Sequence, residues 1–261
     1  EKVEAEWQHD KDGQATLTEE EVNRCKGFFA DPDYEEHENK DASVETHAGS
    51  DLLFSHWLER NVTNHKKPGY RIVTLCLKET GVATGDLTDG QMDFVADLAD
   101  KFSLGEIRVT HVQNLVLTDV RLKDLYELFQ ACKQESLATP YVGLLNDMVC
   151  CPGGDFCSLA NAKSIPIAES IQRRFEDFER QKNIGDITLN ISGCMNACGH
   201  HHVGNIGILG VDKKGAEFYQ VTLGGSADRQ TAIGKVLGPS FAQEDMPDVI
   251  EKIIDVYLSK D

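Results

Sequence analysis

Two pairs of cysteines constrain this chain more than any other feature of it. "CPGGDFC" spaces Cys151 and Cys157 as C-x5-C, and "CMNAC" spaces Cys194 and Cys198 as C-x3-C, about forty residues further on. Four thiolates converging from two loops suit a tetrahedral zinc or a cubane 4Fe–4S cluster. Zinc knuckles use spacers of about two to four residues. The five-residue spacer, with Pro152, Gly153 and Gly154 inside it, fits the wider cluster better. Gly193 and Gly199 allow the close backbone approach that such a site needs. Cluster, zinc and unrelated buried thiols all remain open on the residues alone. Cys25, Cys76 and Cys132 are scattered and read as ordinary buried thiols, while Cys150 adjoins the first motif and is ambiguous.

Length and charge narrow the classes. The 261 residues suffice for one large domain or two smaller ones, and eight cysteines in a chain of this size do not read as a disulfide scaffold. A net charge of −18 leaves no basic surplus for a nucleic-acid backbone. No apolar run approaches the roughly 18–20 residues that span a bilayer. The opening "EKVEAEWQHDKDG" lacks a signal peptide's basic start and apolar stretch, so the expected location is the cytoplasm. Residues 1–50 hold fifteen Asp/Glu against five Lys/Arg. Within them Thr18 and Glu21 form a capping-box pattern, predicting a short helix through about Phe29. The following stretch, to about residue 51, is acidic and aperiodic and reads as a mobile linker.

Periodicity orders the rest. "YRIVTLCLK" (70–78) reads as a strand. Thr88 and Gln91 open a helix with Met92, Val95, Leu98, Ala99 and Phe102 at helical spacing. "EIRVTHV" and "NLVLTDV" read as two short strands, and "RLKDLYELFQACKQ" as a second helix. This β-α-β-β-α order is most of a ferredoxin-like unit, whose sixth element would fall near residues 140–149. Beyond it, Pro166 opens a helix carrying Ile167, Ile171, Phe175 and Phe178. "DITLNIS" is a strand that feeds the second cysteine motif. "NIGILGV" and "FYQVTLGG" flank a hairpin turn at 212–215, and an amphipathic helix covers about 244–259.

"CPGGDFCSLANAKS" followed by "SGCMNACGHHHVGNIGILG" resembles the paired signature of the siroheme-dependent nitrite and sulfite reductases, and "RVTHVQNLVL" (108–117) is similar to that family's Arg-x-Thr-x-x-Gln-Asn strand pair. One departure is Asn205, where family members often carry an acid. The resemblance implies an α+β fold: a ferredoxin-like half-domain, then a 4Fe–4S module with a mixed sheet and flanking helices. The expected boundaries are 1–50 for the acidic helix and linker, 51–140 for the half-domain, and 141–261 for the 4Fe–4S and siroheme domain. It implies a cluster on Cys151, Cys157, Cys194 and Cys198, with Cys198 also the axial ligand of siroheme iron. Arg108, Gln113 and Asn114 become candidates for contact with siroheme or substrate; the bland alternative is that their side chains satisfy backbone groups at a strand junction. His200–His202 are expected to pack or to meet siroheme carboxylates. Lys163, Arg173 and Arg174 read as surface helix charges.

The implied reaction is the six-electron reduction of sulfite to sulfide or nitrite to ammonia, two anions that use the same cofactor pair. The resemblance further implies an N-terminal half that supplies the substrate's cationic cage, so no catalytic residue is assigned in this chain. The electron donor would be a flavoprotein subunit or a ferredoxin. The chain thus reads as a C-terminal portion, poorly active alone. A compact, complete siroheme reductase is one alternative, and a non-catalytic zinc-binding module is another.

Overall fold

The computed structural model describes residues 1–13 and 16–260, and residues 1–36 form a compact unit separate from the remainder. The first unit holds α1 (Lys2–Asp10) and α2 (Glu19–Gly27), the latter capped by the Thr18 side chain, which accepts from Glu21 N at 3.2 Å. The second unit contains two sheets.

The first sheet has the order β1-β2-β4-β3, all antiparallel, with β1 Val62–Asn64, β2 Tyr70–Leu75, β3 Ile107–Val109 and β4 Leu115–Arg121. Helices α5 (Asp89–Phe102) and α6 (Leu125–Gln134) follow β2 and β4 in sequence. Thr88 and Gln91 form the expected capping box. The β-α-β-β-α order is therefore present, but its edge is filled differently. The edge position beside β2 belongs to β1, which precedes the unit in sequence; of the residues expected to return there, 140–148 form turns and loop, and Val149 joins the second sheet in β5. A strand preceding β2 can reach its open edge through a short connection, whereas a return from α6 would need a longer crossover.

The stretch expected to be a linker is helical in its second half. Helix α3 (Ala42–Ser50) starts at Asp41, whose carboxylate accepts from Ser43 N at 2.8 Å. Its Val44 enters the core, and His47 stacks on Tyr126 at 3.7 Å. A nine-residue helix can be held by one buried residue and one ring contact, which is too little to register as periodicity. Helix α4 (Leu52–Asn61) then delivers Phe54 and Trp57 to a core with Phe129, Leu98 and Leu117.

The second sheet has the order β5-β6-β7-β8-β9: β5 Val149–Cys150, β6 Leu189–Ser192, β7 Ile206–Lys213, β8 Ala216–Leu223 and β9 Lys235–Val236. Strands β5, β6 and β7 are parallel to their neighbours, and β7, β8 and β9 antiparallel. Lys214 and Gly215, at φ 59° and 85°, make the two-residue turn between β7 and β8. The helix expected after Pro166 is two helices, α7 (Ile165–Arg174) and α8 (Phe178–Ile184). Asp177 caps the second at 2.6 Å, so Phe178 starts a new helix instead of extending the face of Ile167, Ile171 and Phe175. Helix α9 (Met246–Leu258) buries Met246, Ile250 and Ile254 in the second core. No described helix is long and apolar enough to cross a membrane.

Candidate metal-cluster site

Strand direction brings the two cysteine motifs together. Strands β5 and β6 run parallel with Cys150 opposite Ile191, so the chain leaves both at the same end. Cys151 is the first residue after β5, and Gly193–Cys194 directly follow β6. Cys151 N extends the ladder by donating to Ile191 O at 3.1 Å. Residues far apart in sequence thus leave neighbouring strand ends, where open sheets place their sites.

The loops then fold on each other through Gly193. Its N–H donates to Cys151 Sγ at 3.0 Å, and its carbonyl accepts from Asn161 N and Ala162 N at 2.8 and 3.1 Å. A methyl group on Gly193 would lie 2.7 Å from Ala162 O and 2.8 Å from Gly153 Cα. Within the first motif a single 3-10 turn over Gly153–Asp155 lets Cys157 N donate to Gly153 O at 2.9 Å. The second motif curls through left-handed Ala197 (φ 56°) and His200 (φ 53°). Gly199 N donates to Ser192 Oγ at 3.1 Å, and Asn190 Nδ2 to Gly199 O at 3.0 Å. A methyl group on Gly199 would fall 1.9 Å from Ile191 O.

All eight cysteines are free thiols. Cys194 is buried, Cys151 and Cys157 are half-buried, and Cys198 is exposed. Phe156, Leu159 and Met195 add exposed apolar side chains on the same loops. No group of three or more His, Cys, Asp and Glu among the described residues is gathered tightly enough for one ion. A cubane takes one thiolate at each of its irons, so its ligands need not surround a single point. Four reduced soft donors on two glycine-rich loops, cross-linked by an amide-to-sulfur hydrogen bond, fit such a cluster.

The remaining thiols differ in chemistry. Burial, with Cys151 beside it, pushes the Cys150 thiol far up, and burial raises Cys132 to about 12 and Cys76 well above its ordinary value. All three are buried, which suits packing.

Gln113 and Asn114 are engaged at the junction of the two sheets. Gln113 Nε2 donates to Cys150 O at 2.9 Å and its Oε1 accepts from Cys150 N at 2.8 Å. Asn114 accepts from Leu77 N and Lys78 Nζ at 3.0 and 3.1 Å and donates to Asp147 at 2.8 Å. Arg108 is exposed on edge strand β3, its Nε 2.6 Å from Glu106. The sequence reading missed Lys78, which is fully buried. Its ammonium donates to Val112 O and Gln113 O, each at 2.8 Å, and faces Asp147 at 3.6 Å. Burial pushes the Lys78 amine down and the Asp147 carboxyl up, and their attraction opposes both shifts. Only a lysine at the end of an apolar run hinted at this pair.

Of the three histidines, His201 is buried, with its ring 3.9 Å from that of His202, while His200 and His202 are exposed. Burial, then the charge of His202, lowers His201 to about 4. Asn205 accepts from Thr188 N at 2.9 Å and donates to Gly225 O at 2.9 Å, holding β6 to the loop after β8. Lys163 pairs with Asp155 at 3.3 Å, and Arg174 with Asp248 at 2.8 Å, both at the surface.

Comparison with known proteins places this geometry in context. Residues 143–261 match the family model described as the nitrite and sulphite reductase 4Fe-4S domain, and residues 65–135 match the nitrite/sulfite reductase ferredoxin-like half domain. The chain is 31% identical over 169 residues to sulfite reductase (ferredoxin) 2 of Mycolicibacterium paratuberculosis, covering 61% of this chain and 30% of the relative. It is 28% identical over 181 residues to the ferredoxin–nitrite reductase of Synechococcus elongatus, covering 66% and 34%. The chain therefore spans about a third of these relatives. Among solved structures, the NirA protein of Mycobacterium tuberculosis matches with a TM-score of 0.63 at 25% identity, over 77% of this chain and 37% of that one. A dissimilatory sulfite reductase shares the fold, with a TM-score of 0.60 at 12% identity, over 91% and 79%.

Proposed function

The chain belongs to the nitrite and sulfite reductase family, and on that premise we propose that it is the cluster- and siroheme-holding portion of an enzyme reducing sulfite to sulfide or nitrite to ammonia. The observation that carries this reading is that the motif of Cys151 and Cys157 and the motif of Cys194 and Cys198 leave two adjacent parallel strand ends and are tied by Gly193 N–H donating to Cys151 Sγ.

In this reading the four thiolates hold the 4Fe–4S cluster. When bound, the cluster would supply single-electron storage and relay, and siroheme would supply a redox-active iron for the anion. Cys194, buried behind the loop, anchors the inner side of the site. Cys198 is the exposed member and offers a sulfur that a second metal can share, because thiolate is soft and polarizable. The exposed Phe156, Leu159 and Met195 offer apolar surface beside it that would exclude water once covered.

Since the chain spans about a third of its relatives, we assign the cationic cage around the substrate to a part of the protein outside it. The named relatives use ferredoxin, which makes a ferredoxin the proposed electron donor here. Both substrates stay within the proposal, because the relatives include sulfite and nitrite reductases. Turnover by this chain alone would favour a compact, complete enzyme.

The test is a spectroscopic comparison in the full-length protein that contains this chain. Cys198→Ser should disturb the cluster and siroheme signatures together, whereas Cys151→Ser should damage the cluster first. Normal coupling of the two centres in Cys198→Ser would contradict the bridging role.

A further inference from the structure

Strand β5 is only two residues long and lies at the edge of the second sheet, paired on one side with β6. Its outer side would leave backbone groups of Cys150 without a strand partner, although Cys150 is buried. Buried backbone N–H and C=O groups require partners. Here both requirements are met by one side chain. Gln113 Oε1 accepts from Cys150 N at 2.8 Å, and Gln113 Nε2 donates to Cys150 O at 2.9 Å. These two bonds reproduce the exchange that a residue of an antiparallel strand makes with its opposite number.

The side chain that does this comes from the other sheet. Gln113 sits in the turn between β3 and β4, in the left-handed region at φ 58°, with its own N–H donating to Thr110 O at 3.3 Å. Lys78 holds the same turn from behind through Val112 O and Gln113 O. Asn114 ties Lys78 to Asp147, and Asp147 accepts from Gly143 N at 2.9 Å in the segment leading to β5. Close approach from the opposite side depends on Gly85, where a methyl group would lie 2.9 Å from Gln113 Cβ. The backbone of Gln113 is thus held by Thr110 and Lys78, and its side-chain amide grips the residue before Cys151.

We propose that Gln113 is a positioning residue for the cluster: its amide stands in for a neighbouring strand on the open edge of β5 and so fixes the backbone from which the Cys151 thiolate projects. The proposal rests on the reading of Cys151 as a cluster ligand. It makes the ferredoxin-like half-domain a part of the cluster site without contributing a ligand to it. The neighbouring Lys78, Asn114 and Asp147 hold Gln113 in place.

The test compares Gln113→Met, similar in length but without an amide, with Gln113→Glu, which keeps an acceptor for Cys150 N–H and loses the donor. In the chain without cluster, Gln113→Met should raise amide exchange at Cys150 about tenfold, the scale of one lost hydrogen bond, while the amides of β4 stay at wild-type rates. After anaerobic loading with ferrous iron and sulfide, the same variant should lose its cluster to a chelator about tenfold faster than wild type. Gln113→Glu should fall between the two. Wild-type exchange at Cys150 together with wild-type cluster retention in Gln113→Met would overturn the proposal. So would a parallel rise of exchange throughout β4, which would make Gln113 a support of the whole fold. Failure of the wild-type chain to take up any cluster would instead overturn the ligand assignment, while the exchange measurement would still read the grip on Cys150.

Discussion

The amide of Gly193 donates to the sulfur of Cys151 at 3.0 Å, joining two cysteine motifs that only strand pairing brings together. An N–H bond to sulfur holds the direction of that sulfur, and such bonds also help set the potentials of iron–sulfur clusters. Gly193 can donate only because it lies against Gly153 and Ala162 with no side chain of its own. A conformational requirement on one loop thereby fixes the direction of a candidate ligand on the other.

Gly193→Ala should therefore cost more than a surface glycine. Its methyl would meet Ala162 O and Gly153 Cα at 2.7 and 2.8 Å, both backbone atoms that cannot turn aside. Overpacking of this kind costs about 1–3 kcal/mol. Urea unfolding should show that loss, and cluster loading should fall with it. Unchanged stability and loading would mean that the two loops can part without consequence.

Lys78→Met should be among the most damaging changes outside the cysteines. It leaves Asp147, Asn114 Oδ1 and two carbonyls without the buried ammonium they share. Removing one partner of a buried pair costs about 3–5 kcal/mol. Adding Asp147→Asn should recover part of that loss by removing the uncompensated charge. Equal stability of the single and double variants, read by denaturant titration, would refute the pairing.

His201 gives the chain a pH signature. Its folded value, near 4, lies below the ordinary 6.5, so between these values the unfolded chain binds the proton that the folded one refuses. Stability from this group is full above about pH 6.5, declines as pH falls towards 4, and levels off below. The total change is about 3 kcal/mol at most. Subtracting the pH–stability curve of His201→Leu from that of wild type should isolate this slope. Parallel curves would show that the ring is accessible to water in the folded state.

Local features were legible in the sequence. The Thr88–Gln91 capping box, the Lys214–Gly215 turn and the helix over Met246–Leu258 depend on neighbours within a few residues, and each forms where its pattern lies. The family signature and the spacing of the cysteines identified the candidate ligands because those residues are consecutive or nearly so. What the sequence could not show depends on distant pairing. Strand β1 takes the edge position that the sixth ferredoxin-like element was expected to fill, a choice decided by which segment reaches β2. Asp177 breaks a helix that its apolar spacing would continue. The Gln113–Asn114 pair drew attention as polar residues beside a strand, but its grip on Cys150 and on Lys78 appears only when the two sheets are assembled.

The most direct measurement is anaerobic loading of this chain with ferrous iron and sulfide, followed by metal analysis and electron paramagnetic resonance after reduction. The four-cysteine site predicts about four irons and four sulfides per chain and a reduced 4Fe–4S signal. That signal should be lost in Cys157→Ser and in Cys194→Ser and kept in Cys25→Ser, whose thiol lies on α2. A colourless protein holding one zinc per chain, or a normal cluster in both Cys157→Ser and Cys194→Ser, would contradict it.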